Sequence, residues 1–122
     1  MSKRPYPALL VVEDGPLTLV STKAALEEDG YRVVAARHSG SAIDALDEPV
    51  GGLITDIRLP GPCDGWEIAR EARARWPDIP VVYVTGEGEE DWQEKGVPGS
   101  VILQKPYTAG TLLAAVHQLL PA

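Results

Sequence analysis

Apolar residues occur along the chain in five short runs, with longer mixed stretches of apolar and polar residues between them. The runs cover residues 8–13, 31–36, 52–56, 80–85 and 100–105. Their length and their content of β-branched residues favour strands. Three of them, 8–13, 52–56 and 80–85, are almost continuously apolar, which is typical of central strands in a parallel sheet that is covered by helices on both faces.

The mixed stretches between the runs carry helix signals. The first predicted helix runs from Pro16 to about Asp29, and Gly30 follows as a stop signal. Its apolar positions at helical spacing are Leu17, Val20 and Ala24. The remaining helices are expected to open near Ser39 or Ser41, near Asp64, and at Thr108. Segment 87–96 is a weak helix candidate because it holds many acids and one large apolar residue, Trp92.

Strands and helices thus alternate five times along the chain. This order predicts an α/β fold, a doubly wound parallel sheet with right-handed crossovers. Ligands of such sheets bind beyond the carboxyl ends of the strands. The residues that close each strand are therefore the ones to examine for function.

Four of the predicted strands end in polar residues that can bind a ligand or take part in a reaction. They are the pair Glu13 and Asp14, then Asp56, Thr85 and Lys105. If these ends are aligned, three carboxylates, one hydroxyl and one ammonium converge on one pocket. Clustered carboxylates repel one another unless a cation neutralises them, and Mg²⁺ suits this all-oxygen set. For Glu13 and Asp14 a second interpretation stays open, since Asp is also favoured as a helix cap and Pro16 is tolerated in a first turn.

The pocket would suit phosphoryl transfer. A carboxylate such as that of Asp56 can act as a nucleophile and form an aspartyl-phosphate. The Lys105 ammonium and the Thr85 hydroxyl would stabilise charge on the transferred group. No glycine-rich phosphate loop is present to indicate a nucleotide site.

Composition narrows the class of partner. The chain has 122 residues, which fits a single domain, and 18 acidic against 11 basic residues give a net charge of −7. That charge argues against direct contact with nucleic acid or an anionic membrane, and favours a protein or metal partner. The lone Cys63, the absence of a signal sequence and the absence of a membrane-spanning apolar run predict a cytoplasmic location.

Taken together, these motifs resemble the receiver domain of two-component response regulators over essentially the whole chain. The resemblance rests on four motifs in order, which are Glu13-Asp14, "TDIRLPG" with Asp56, "VTG" with Thr85, and "QKPY" with Lys105. It implies a flavodoxin-like fold with a five-stranded sheet in the order 2-1-3-4-5.

The resemblance also implies a function and a ligand set. A histidine kinase or a histidine phosphotransfer protein would phosphorylate Asp56, and the receiver would catalyse only its own phosphorylation and dephosphorylation. Mg²⁺ would be held by Asp14, Asp56 and the backbone carbonyl of Arg58, with Glu13 acting mostly through water. Arg58 and Glu87 occupy positions that tune the lifetime of the phosphate, and their opposite charges suggest that they pair.

The sequence departs from the family pattern in ways that limit this comparison. Ile102 stands where the family usually has the Tyr or Phe that moves when the hydroxyl engages the phosphate, and Tyr83 and Tyr107 are candidates to replace that ring in part. The missing ring keeps open a phosphorylation-independent interaction module, while Arg58 disfavours an aspartate phosphatase because such enzymes need an acid at that position. The sequence ends after the fifth helix, so we expect a stand-alone receiver that signals by docking to a protein target it does not identify.

Overall fold

The computed structural model describes residues 8–86 and 89–120, which form one sheet with helices on both faces. The strands are β1 (Leu9–Val12), β2 (Val33–Ala36), β3 (Gly52–Asp56), β4 (Val81–Thr85) and β5 (Val101–Gln104). The helices are α1 (Pro16–Glu28), α2 (Ser39–Ala45), α3 (Gly65–Arg75), α4 (Trp92–Lys95) and α5 (Ala109–Leu119). A 3-10 turn, Glu89–Asp91, precedes α4.

All strand pairings are parallel, and the strand order is β2-β1-β3-β4-β5. The predicted doubly wound sheet and its order are therefore confirmed. Every residue of β1, β3 and β4 is buried, as the continuous apolar runs predicted, whereas the edge strands β2 and β5 are partly exposed.

Two apolar cores cover the two faces of the sheet. One packs α2, α3 and the Trp92 ring against one face, and includes Leu53, Ile68 and Tyr83. The other packs α1 and α5 against the opposite face, and includes Leu26 and Leu112. Because α1 begins four residues after β1 ends, the second core directly adjoins the carboxyl end of the sheet.

Helix α1 forms where the pattern predicted it, but the apolar stripe marked by Leu17 and Val20 faces away from the sheet. Leu17 is 83% exposed and Val20 is 66% exposed, while Leu19, Thr22 and Leu26 are buried. The segment is apolar on both sides, so its periodicity did not distinguish the two stripes. The helix ends as predicted, with Gly30 at a φ of 97°, a conformation that glycine adopts without strain.

The second and third helices start with side-chain caps. The His38 ring accepts a hydrogen bond from the backbone N–H of Ser41, which fixes the start of α2. Asp64 and Glu67 form a reciprocal capping box at the start of α3. Both starts agree with the sequence prediction, although the capping role of His38 was not foreseen.

Helix α4 is a single turn, as the weak signal in 87–96 indicated. The indole N–H of Trp92 donates to the Ser100 hydroxyl at 2.9 Å, and the half-buried ring packs against the first core. Of the helices in the described part of the chain, none combines the length and apolarity needed to cross a membrane.

Candidate functional site

The carboxyl ends of four neighbouring strands bring the predicted site residues to one edge of the sheet. Glu13 and Asp14 directly follow β1, Asp56 is the last residue of β3, and Thr85 is the last residue of β4. Lys105 directly follows β5, and its backbone N–H donates to the Thr85 carbonyl at 2.8 Å. Because the strands are parallel and adjacent, residues separated by up to 92 positions in sequence meet here.

Three carboxylates form a cluster at this edge. Glu13, Asp14 and Asp56 each offer an oxygen, and these oxygens lie within 4.8 Å of one another. Glu13 and Asp56 are each only 4% exposed, whereas Asp14 is exposed to solvent. An all-oxygen set with one solvent-facing member fits Mg²⁺, which is typically held by one or two carboxylates and keeps several waters.

Lys105 stands between the two buried carboxylates. Its Nζ lies 3.0 Å from Glu13 Oε1 and 3.0 Å from Asp56 Oδ1. When all four side chains are ionised, three negative charges and one positive charge leave the cluster at −2. A divalent cation would therefore neutralise the remaining charge of the cluster.

Burial and the neighbouring Glu13 shift the pKa of Asp56, the candidate phosphoacceptor. Burial, and then the hydrogen-bonding and charge interactions with Glu13, raise the pKa of Asp56 to about 7, although Lys105 opposes the shift. Burial disfavours the charge on Lys105, but Asp56 and Glu13 together outweigh it and raise the pKa of that ammonium. A strongly perturbed carboxyl with a specific cationic partner is typical of a functional site.

The capping interpretation of the acidic pair is wrong for Asp14. Gly15 occupies the N-cap position of α1, and no side chain caps that helix. Glu13 instead accepts a hydrogen bond from the backbone N–H of Gly15 at 2.9 Å, which holds its carboxylate in the cluster. Asp14 thus stays directed to solvent and to the other two acids.

A family model agrees with this geometry. The model described as the response regulator receiver domain matches residues 9–117. The chain belongs to this family.

Individual relatives place this receiver domain more closely. A crystal structure of a response regulator receiver protein from Sinorhizobium medicae is 38% identical, has a TM-score of 0.91, and covers 97% of each chain. The phosphate regulon transcriptional regulatory protein PhoB of Escherichia coli is 33% identical over 92% of this chain and 51% of its own length. The receiver domain of the sensor histidine kinase PA1611 from Pseudomonas aeruginosa, 24% identical with a TM-score of 0.79 over 93% of this chain and 97% of that one, holds a magnesium ion in its active site cleft. The first curated relatives are longer, and this receiver domain spans 25% to 51% of their length.

Arg58 is a further predicted site residue of the receiver domain. Arg58 follows β3 by two residues and its side chain is exposed. The predicted pairing of Arg58 with Glu87 concerns a residue outside the described part of the chain. Sequence reasoning missed Arg37, whose guanidinium donates to the Asp14 carbonyl at 3.2 Å. Its position directly after β2 was the available signal, since that strand also ends at this edge.

The two tyrosines considered as substitutes for the absent ring differ in their surroundings. Tyr83 pairs with Ile102 across β4 and β5, is fully buried, and accepts a hydrogen bond from the backbone N–H of Val97 at 3.0 Å. Tyr107 is half-buried and shares a 2.7 Å hydrogen bond with Thr22 of α1. Ile102 itself packs partly buried against the first core. Tyr83 is therefore held inside the first core, whereas Tyr107 contacts α1 on the other face of the sheet.

Proposed function

We propose that this receiver domain accepts a phosphoryl group on Asp56 from a histidine kinase or a histidine phosphotransfer protein, in a Mg²⁺-dependent reaction. The observation that carries the proposal is the buried Asp56 carboxyl at the centre of the cluster, 3.0 Å from the Lys105 ammonium and beside Glu13 and Asp14. The family match and the order of the strand-end residues support the same assignment.

The reaction is an in-line displacement. An Asp56 oxygen attacks the phosphorus of the donor phosphohistidine, a P–O bond forms, and the P–N bond breaks. The electron pair of that bond stays on the imidazole of the donor, which ends neutral because its other ring nitrogen carries a proton. The Asp56 side chain must be ionised to attack, so the raised pKa means that its proton has to leave first.

The other side chains stabilise charge and position the reacting groups. The Lys105 ammonium would offset negative charge on the phosphoryl oxygens, and the Thr85 hydroxyl at the neighbouring strand end would donate to one of them. Asp14, Asp56 and the Arg58 carbonyl would hold Mg²⁺, with Glu13 acting through water. The bound cation would supply charge neutralisation between the acids and the incoming phosphoryl group.

The downstream step would be a protein interaction in the cytoplasm, controlled by the phosphorylation state of Asp56. The net charge of −7 suits a protein target better than a phosphate backbone. The competing proposal is a receiver fold that binds partners without phosphorylation, which the half-buried Ile102 at the usual ring position favours.

Intact-mass measurement after incubation with acetyl phosphate and Mg²⁺ separates the two proposals. We expect one added phosphoryl group that is absent in Asp56→Asn, absent after chelation of the metal, and retained in Asp44→Asn, an exposed acid on α2. Wild-type protein that stays unmodified at every donor concentration would favour the phosphorylation-independent module. An adduct that persists in Asp56→Asn would place the phosphoacceptor elsewhere.

A further inference from the structure

Tyr107 and Thr22 form a polar link between α1 and the loop that carries Lys105. Their hydroxyl oxygens are 2.7 Å apart, although the residues are 85 positions apart in sequence. Thr22 is only 3% exposed and lies in the middle of the buried stripe of α1. A short hydrogen bond at a nearly dry position restrains the two elements more than the same bond would in water.

The space around this link is open. A groove of about 330 Å³ lies between α1 and the segment from Lys105 to Leu112, and both hydroxyl-bearing residues line it. Apolar packing between α1 and the Lys105 loop is therefore incomplete on this side. The hydrogen bond therefore adds a polar restraint to the packing of the Tyr107 ring against the second core.

The link closes a ring of contacts that contains the ammonium of the site. Lys105 contacts the Glu13 carboxylate, Glu13 accepts from the N–H of Gly15, and α1 follows directly and reaches Thr22. Thr22 bonds Tyr107, and Pro106 alone separates Tyr107 from Lys105. The proline ring fixes one backbone torsion in that short return, so little freedom remains between the two ends.

The Tyr107 hydroxyl is neutral at physiological pH, as an ordinary phenol is, and burial raises its pKa further. Either hydroxyl can be the donor, and the link therefore needs no charged group.

We propose that Thr22 and Tyr107 are positioning residues for phosphoryl transfer, and that their hydrogen bond holds the Lys105 ammonium beside the Asp56 carboxylate. This inference rests on the proposed function for its catalytic consequence. It adds that the geometry of the site depends on α1, a helix that contributes no side chain to the carboxylate cluster.

Substitutions that remove one hydroxyl at a time test the link. We expect Thr22→Val and Tyr107→Phe each to slow phosphorylation of Asp56 by acetyl phosphate about threefold to tenfold, the range of one net hydrogen bond. The double variant should be no slower than either single variant, because both remove the same bond. Thr22→Ser, which keeps the hydroxyl, should restore a rate close to wild type.

His117→Gln is the matched control. The His117 ring lies 2.7 Å from an Asp29 oxygen, and this pair joins α5 to the end of α1 remote from the site. It should leave the phosphorylation rate unchanged even if stability falls. Equal slowing by His117→Gln, additive losses in the double variant, or wild-type rates in both single variants would overturn the inference.

Amide hydrogen exchange distinguishes failure of this inference from failure of the proposed function. The Lys105 N–H bonds to the Thr85 carbonyl, so its exchange reports on the loop without any phosphodonor. We expect faster exchange at Lys105 in Thr22→Val and not in His117→Gln. Unchanged exchange in Thr22→Val would refute the positioning role even for a protein that never accepts phosphate, whereas faster exchange in such a protein would uphold the link and refute the proposed function.

Discussion

The chain leaves β3 and β4 in opposite ways, although the two strands are neighbours and both end in a site residue. After Asp56 the backbone stays buried through Ile57, and α3 returns so closely that Gly65 donates to the Ile57 carbonyl at 2.7 Å. After Thr85, Gly86 is exposed, and a Cβ built on it would meet no atom of the described residues within 4 Å, its chain neighbours aside. Both site residues are buried, but the backbone after Asp56 is covered by α3, whereas the backbone after Thr85 continues into an exposed glycine.

The largest expected effect comes from adding one methyl group on the covered side. A Cβ at Gly65 would lie 2.8 Å from the Ile57 Cα and would overlap the Asp56 carbonyl oxygen. We expect Gly65→Ala to lower the free energy of unfolding by about 3 kcal/mol, because backbone rather than a flexible side chain must move. Urea denaturation measures the change.

Gly86→Ala makes the same substitution directly after β4, where the backbone is exposed. There we expect a change within about 0.5 kcal/mol. Similar losses at both glycines would contradict the contrast between the two strand ends.

An intermediate effect on stability should follow from removing the Tyr83 hydroxyl on β4. Tyr83 is the residue through which β4 bonds the N–H of Val97, just beyond α4, and its ring contacts Trp66 at a centroid distance of 4.7 Å. Tyr83→Phe leaves that buried N–H unpaired, which should reduce stability by about 1–3 kcal/mol. Tyr107→Phe should cost about 1 kcal/mol in the same thermal or urea melts, because it removes one hydrogen bond of a half-buried side chain and leaves no backbone N–H unpaired. A loss for Tyr83→Phe that is no larger than the loss for Tyr107→Phe would contradict this ranking.

The two strand ends should also differ in their response to pH, because Asp56 titrates and Thr85 does not. The pKa of Asp56 is about 7 in the folded protein and 3.8 for the unperturbed group, so between these values the folded state binds more protons than the unfolded state. Without divalent cations, stability should therefore fall by up to about 3 kcal/mol as pH rises from about 4 to 7. Lys105 stays charged throughout this window, since its pKa is raised from 10.5.

Asp56→Asn should flatten that part of the pH profile, whereas Thr85→Val should leave its slope intact. Millimolar Mg²⁺ should restore stability at neutral pH in the wild type by binding the folded state. A wild-type profile that rises with pH over this interval would mean that Asp56 is not the dominant titrating group.

Much of this architecture was predictable because strand ends in a parallel sheet share one edge. Five apolar runs and their order were enough to predict which residues are neighbours at this edge, namely Glu13, Asp14, Asp56, Thr85 and Lys105. Which stripe of α1 faces the core did not follow, because Leu17 and Val20 are as apolar as the buried Leu19 and Leu26. The Thr22–Tyr107 bond was equally hidden, since no local pattern pairs two hydroxyls 85 residues apart. The roles of the site residues stay predictions.

The outward face of α1 has a consequence for behaviour in solution. Leu17 and Val20 are three positions apart on one helix face, and both are mostly exposed to water. Copies of a chain with a net charge of −7 repel one another, which opposes contact between these aliphatic patches. Added salt screens that repulsion while leaving the aliphatic surface unchanged, so the colloidal stability of the protein is set by ionic strength as well as by its fold.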